Sequence, residues 1–227
     1  RDICSKLGIK ISGNAAKRIE VALRSVVSTT IHSNSSFYLK SRRRYLRESF
    51  HLYEKVAFAG DALPDGGVAD AVYVVLASWY LENLNANYVA PLDFEYFRQI
   101  QGSLASRMYE LLHHWFFVSL RSNQPTLGRR YSTLCAYFPL ARQDILWKAK
   151  QQLHGAHLQH HQSGYLACLP EWRPVSGVKN DWSLIFTAGQ KARDEYRRNQ
   201  SRRDQEGFAP DELPPGAQRI LPLASPS

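Results

Sequence analysis

Between Asp144 and Cys168 the chain gathers Trp147, Lys148, Lys150, Gln151, His154, His157, His160 and His161 in one helical stretch. Such side chains can neutralise phosphates, read base edges or ligate a metal. At about 100° per residue, Ala149, Leu153, Ala156, His157 and His160 fall on one face, Trp147, Gln151 and Leu158 fall opposite, and Lys148 and Lys150 flank them. One face packs and the other offers nitrogens. His154 and His157 are three apart and His157 and His161 four apart, a geometry open to zinc, but no carboxylate or cysteine completes a site nearby. A buried, hydrogen-bonded histidine is the ordinary reading, and no metal or other cofactor is expected.

Other chemistry finds little support. No nucleophile elbow, phosphate-binding glycine loop, metal-ligand array or paired carboxylates occur, so no enzymatic activity is expected. His160 and His161 only faintly echo the histidine motif of a nicking relaxase. Cys4, Cys135 and Cys168 are too scattered for a disulfide framework and read as buried free thiols. A formal net charge of +9 calls for a polyanionic partner, nucleic acid or an anionic membrane. The longest apolar run, Ala71 to Leu81, is far short of the roughly 20 residues of a membrane span, and no secretory signal precedes it. A cytoplasmic, nucleic-acid-associated protein is expected.

The elements that must position these residues follow from periodicity. Gly164 fits a helix C-terminal cap, and Tyr165 to Leu169 then predict an extended segment closed by Pro170. Helix, tight stop and strand is the order of a winged helix-turn-helix. Upstream, Ser103 to Leu120 predicts a buried helix through Leu104, Met108, Leu111, Leu112, Trp115 and Phe116. A loop through Pro125 and Gly128 follows, then a helix from Arg130 to Phe138 and a turn from Pro139 to Arg142. Trp182 to Thr187 is the expected return strand, with Arg173 to Asp181 as a wing tip carrying Arg173 and Lys179.

The first half has a similar order. Asp2 to Leu7 predicts a short helix, and Ser12 caps a longer one running to about Val27. Its stripe of Ala15, Ile19, Ala22, Leu23 and Val26 turns Asn14, Lys17, Val21 and Arg24 outward, with Arg18 at the flank. Thr29 to Lys40 and Ser49 to Phe58 predict a long hairpin whose tip holds Lys40, Arg42, Arg43, Arg44 and Arg47. A charge run alone is usually a solvated loop; beside a basic helix it can neutralise phosphates or enter a narrow groove. Asp61 to Gly67 is a loop, Ala71 to Ala77 a strand, and Ser78 caps a short helix from Trp79 to about Asn85. Asn87 to Leu92 marks a unit boundary, and Phe94 to Ile100 a connecting helix. Beyond it all, Lys191 to Arg203 is basic and poor in apolar residues, and from Asp204 the tail is Pro-rich and polar; it is expected to be disordered or a frayed helix.

At this level the residues resemble the bacterial plasmid replication initiator protein A family. The resemblance rests on Tyr88-Val89-Ala90-Pro91-Leu92-Asp93, Arg107-Met108-Tyr109-Glu110-Leu111-Leu112, Tyr131-Ser132-Thr133-Leu134-Cys135, Gln152-Leu153, Gly164-Tyr165-Leu166 and Trp182-Ser183-Leu184-Ile185-Phe186, in that order. Arg18-Ile19, Ala22-Leu23 and Thr29-Thr30-Ile31 add the first half, so that it covers roughly residues 1 to 190. It implies tandem winged helices that bind repeated sites at a plasmid origin, load host replication proteins and repress their own promoter. One departure is His160, where the family usually carries leucine.

The expectation is therefore an α+β chain of two tandem winged helix-turn-helix units followed by a basic, disordered tail. Residues 1–90 form the first unit, 91–102 a connecting helix and linker, 103–190 the second unit and 191–227 the tail. The expected partner is double-stranded DNA, together with host replication proteins and with room for a homodimer; no membrane is expected. The DNA-binding set is Ser12, Asn14, Lys17, Arg18 and Arg24 on the first helix and Arg42, Arg43 and Arg44 on the first hairpin. Arg129, Arg130, Arg142 and Gln143 precede the second reading helix, which carries Trp147, Lys148, Lys150 and Gln151; Arg173 and Lys179 belong to its wing. The alternative is a winged-helix transcriptional regulator that binds a palindromic operator as a dimer.

Overall fold

A computed structural model describes residues 4–5, 8–34, 37–39, 41–63, 66–85, 91–138 and 140–205. Most of the expected first short helix, Lys40 of the hairpin tip, residues 87–90 of the boundary and the tail from 206 lie outside the described residues. The chain separates into two compact units, one ending among the described residues at Asn85 and one beginning at Pro91. Both mix helices with small antiparallel sheets.

In the first unit, α1 (Gly13–Ser28) starts where expected because the Ser12 hydroxyl accepts the Ala15 N–H at 3.1 Å. Ala15 is buried and Ile19, Leu23 and Val26 are half-buried, whereas Ala22 of the expected stripe is exposed. The helix is followed by β1 (Thr30–His32), β2 (Phe37–Leu39), β3 (Arg44–Leu46) and β4 (Ser49–His51). Tyr38 pairs with Tyr45 and Ile31 with Phe50, so the expected hairpin exists, but its return arm starts at Arg44 rather than Ser49. The reason is a tight turn at residues 41–43, in which Arg43 takes a φ of 49° and lets the chain reverse within the charge run. Leu39 and Leu46 are thereby buried at 1% and 2% exposure. The later part of the expected arm is a separate strand, β5 (Tyr53–Ala57), paired with β6 (Tyr73–Leu76). Helix α2 (Ser78–Asn85) closes the unit.

The second unit holds one continuous core. Helix α3 (Phe94–Gln99) is capped by Asp93, and Tyr96 and Ile100 are buried in that core, so this segment is part of the unit rather than a connector. Helix α4 (Ser103–Arg121) buries Met108, Leu112, Trp115 and Phe116, as its spacing predicts. Where a loop is expected, the chain forms β7 (Thr126–Arg130), leading directly into α5 (Tyr131–Tyr137). Only Leu127 of β7 is buried, and the strand is defined by pairing with β9 rather than by its own pattern.

Helix α6 (Leu146–Gln162) buries all five positions of the predicted face: Ala149, Leu153, Ala156, His157 and His160. Gly164 ends it at φ 75°. The residues after it do not form the expected strand, and Cys168 among them is exposed, whereas Cys4 and Cys135 are buried as expected. Tyr165 and Leu166 drop into the core at 1% exposure each, and β8 (Glu171–Pro174) starts only after Pro170, which has no N–H to give a ladder. Strand β9 (Trp182–Thr187) is central in the order β7–β9–β8.

The basic stretch expected to be disordered or a frayed helix is helix α7 (Gln190–Gln205), docked on the second unit. Its sparse inward side suffices to dock it: Ala192 and Glu195 are buried, and the Tyr196 ring meets Phe117 of α4 at 5.5 Å between centroids. Among the described residues no helix is long and apolar enough to cross a membrane.

Candidate nucleic-acid interface

On α6 the burial of one face leaves the other free. Trp147 is 59% exposed, and Lys148, Lys150 and Gln151 are exposed with it. The Lys148 ammonium lies 5.7 Å from the Trp147 ring, at the outer limit of a cation–π contact. His154, seven residues after Trp147, is exposed on the same side; the sequence shows that spacing, although His154 reads there only as a metal candidate.

The buried histidines behave differently. His160 Nε2 donates to the Ala105 carbonyl at 2.9 Å, and its Nδ1 lies 2.8 Å from the Tyr96 hydroxyl, so both nitrogens are engaged. Burial lowers its pKa. Burial also pushes His157 down to about 3, beside the rings of Trp172 and Phe186. Among the described residues no group of His, Cys, Asp or Glu gathers to hold a metal.

The segments around α6 are tied to one another. Arg142, expected as a DNA contact, donates from Nη2 to the Asn180 carbonyl at 2.9 Å and so holds the β8–β9 turn to the segment entering α6. Lys179, next to Asn180, is exposed on that turn. Asp181, 4% exposed, accepts from the Ser132 N–H and hydroxyl at 3.1 and 2.7 Å and from the Trp182 N–H at 3.0 Å. The same carboxylate thus caps α5 and fixes the start of β9, a role no spacing in the sequence signals.

Gln143 is half-buried; its N–H donates to the Tyr131 hydroxyl at 3.1 Å. Arg129 lies over the Trp115 ring at 4.7 Å and donates to the Gly128 carbonyl, with its pKa lowered by burial, whereas Arg130 is exposed. Arg173 is exposed but paired with Glu171 at 2.8 Å.

In the first unit Asn14, Lys17 and Arg18 are exposed on one side of α1, and Ser12 is occupied as its cap. Arg24 is drawn to Glu20 at 2.9 Å and over the Phe58 ring at 4.5 Å. At the hairpin tip Arg42, Arg43 and Arg44 are all exposed, and Arg42 pairs with Glu82 at 3.0 Å. The Ser41 hydroxyl, foremost, and then Arg42 hold the Glu82 carboxyl below its ordinary range. Each unit therefore presents a helix face and a hairpin turn bearing cations.

No curated protein matches the chain. A solved structure of domains 2 and 3 of RctB is similar at 18% identity and a TM-score of 0.49, over 82% of this chain and 72% of that one. The family model described as replication initiator protein A matches residues 1–115. That is half of the sequence, and the chain belongs to the replication initiator protein A family.

Proposed function

We propose that this replication initiator binds double-stranded DNA sequence-specifically at repeated sites of a plasmid origin, through two winged helices carried on one chain. In the second unit the order α4–β7–α5–α6–β8–β9 supports a winged helix with α6 as its reading helix and residues 175–180 as its wing. In the first, α1 followed by a basic-tipped hairpin supports the same reading. The observation that carries the proposal is the outward face of α6, where Trp147, Lys148, Lys150 and Gln151 stand exposed opposite a fully packed face. Binding without catalysis, recruitment of host replication proteins, repression of its own promoter and a cytoplasmic, plasmid-associated location complete the reading.

A transcriptional regulator that binds a palindrome as a dimer is the alternative, because the same helices serve both. Footprinting on the DNA flanking the gene separates them. Protection of direct repeats supports the initiator, protection of inverted repeats alone supports the regulator, and no protected site would sink both.

A further inference from the structure

Gly155 sits in the interior of the 17-residue helix α6, where glycine is unfavourable compared with alanine. None of the usual structural reasons for a glycine applies to it. Its backbone is helical, it lies far from either helix end, and a Cβ built on it meets nothing within 4 Å. Gly189 shows the contrast: a Cβ there would come within 2.2 Å of the Gly164 carbonyl oxygen, so the fold itself requires that glycine.

The position of Gly155 on α6 is informative. It follows Lys148 by two turns and Gln151 by one, on the exposed side and adjacent to His154. A helix whose first turns reach base edges brings its later turns toward the wall of the groove, and a glycine lets a backbone approach a ligand more closely than any other residue.

We propose that Gly155 is the point at which the α6 backbone meets the DNA sugar–phosphate backbone, the strand occupying the space a side chain would fill. The inference rests on α6 being the reading helix. It assigns a positioning role to Gly155, which sets how deeply Trp147, Lys148 and Gln151 enter the groove. Chain charge favours DNA over a protein as the occupant, since Lys148 lies on the same exposed face two turns before Gly155 and the protein carries a net +9.

The test uses the full chain, Gly155→Ala and Gly155→Leu, and the duplex protected by the wild-type chain in the footprint. Alanine and leucine are good helix formers, so both variants are expected to melt at or above the wild-type temperature. Affinity for the duplex is expected to fall roughly tenfold with alanine, as for a methyl forced into a packed contact, and further with leucine. A stabilised variant with weaker binding is a combination that a merely structural glycine cannot produce. Wild-type affinity in Gly155→Ala, or a lowered melting temperature, would overturn the proposal, as would an altered oligomeric state in sedimentation with DNA binding intact. Trp147→Ala and Lys150→Ala run alongside: if they weaken binding and Gly155→Ala does not, only this inference fails, and if none of them does, the reading of α6 fails.

Discussion

The Tyr109 hydroxyl donates to the Glu195 carboxylate at 2.5 Å, joining α4 to α7 inside the second unit. The same carboxylate oxygen accepts the Asp93 N–H at 2.9 Å and lies 3.4 Å from His113 Nδ1. Arg198 reaches Asp93 at 3.0 Å from the same helix, so α7 clamps the segment that leads into α3. A basic helix of little apolar content is thus held by a buried carboxylate and an ion pair beside the packing of Ala192 and Tyr196.

Glu195→Ala should therefore destabilise the second unit by about 2–3 kcal/mol, since it strands the buried Tyr109 hydroxyl and His113 Nδ1, while the Asp93 N–H keeps the Tyr109 oxygen as an acceptor at 2.9 Å. Burial alone would raise the Glu195 pKa, but hydrogen bonds from His113 and Tyr109 outweigh it and hold the carboxyl below its ordinary value. A lowered folded pKa means stability that is present above the unfolded value, about 4.3, and lost as pH falls through the lower folded one. Thermal melts across that acid range should show Glu195→Gln losing less than the wild type on acidification. Parallel curves would show that this carboxylate is not the group being titrated.

Replacing Arg42, Arg43 and Arg44 together by alanine should weaken specific and nonspecific DNA binding alike. The three are exposed at the hairpin turn, and the Arg42–Glu82 pair is exposed enough for phosphate to displace it. The slope of log affinity against log salt should become shallower by about 3, roughly one for each phosphate no longer neutralised. A loss restricted to the specific site would mean that this hairpin reads groove width instead.

Which parts of this architecture were legible follows from how local their causes are. The packed face of α6 and the cap of α1 depend on spacing within a few turns, and both were readable, down to the five buried positions and Ser12. His160 was readable as a packed residue but not as the partner of Tyr96, 64 positions away. Strand β7 is not legible because its cause lies in β9, and the docking of α7 is not, because Glu195, Ala192 and Tyr196 together do what an apolar stripe normally does. Among the expected DNA contacts, Arg142 looked like any exposed cation until Asn180, 38 residues later, was placed beside it.

Trp147→Ala separates contact with DNA from packing. At 59% exposure the ring contributes little to the core, so the melting temperature should hardly move. Specific affinity should fall by about 1–3 kcal/mol if the ring meets a base edge such as a thymine methyl. Unchanged affinity and unchanged stability together would remove the outward face of α6 from the interface.

Asp181 offers the most discriminating test of how the β8–β9 turn is held. Its carboxylate is buried and shared by the first residues of α5 and β9, while Arg142 pins Asn180 one residue before it. Asp181→Ala leaves the Ser132 and Trp182 N–H groups without their acceptor, which should cost about 1–3 kcal/mol of stability. Arg142→Ala loses only an exposed hydrogen bond, so its melting temperature should stay close to wild type while the turn is loosened. If the turn touches DNA, both variants should lose affinity, because Lys179 would have to be ordered on binding. A double variant with Lys179→Ala then decides the cause: once Lys179 is absent, Arg142→Ala should have a smaller further effect, since its role in binding is to place that lysine. Full additivity of the two losses would show instead that Arg142 contacts DNA directly and that its bond to Asn180 gives way in the complex.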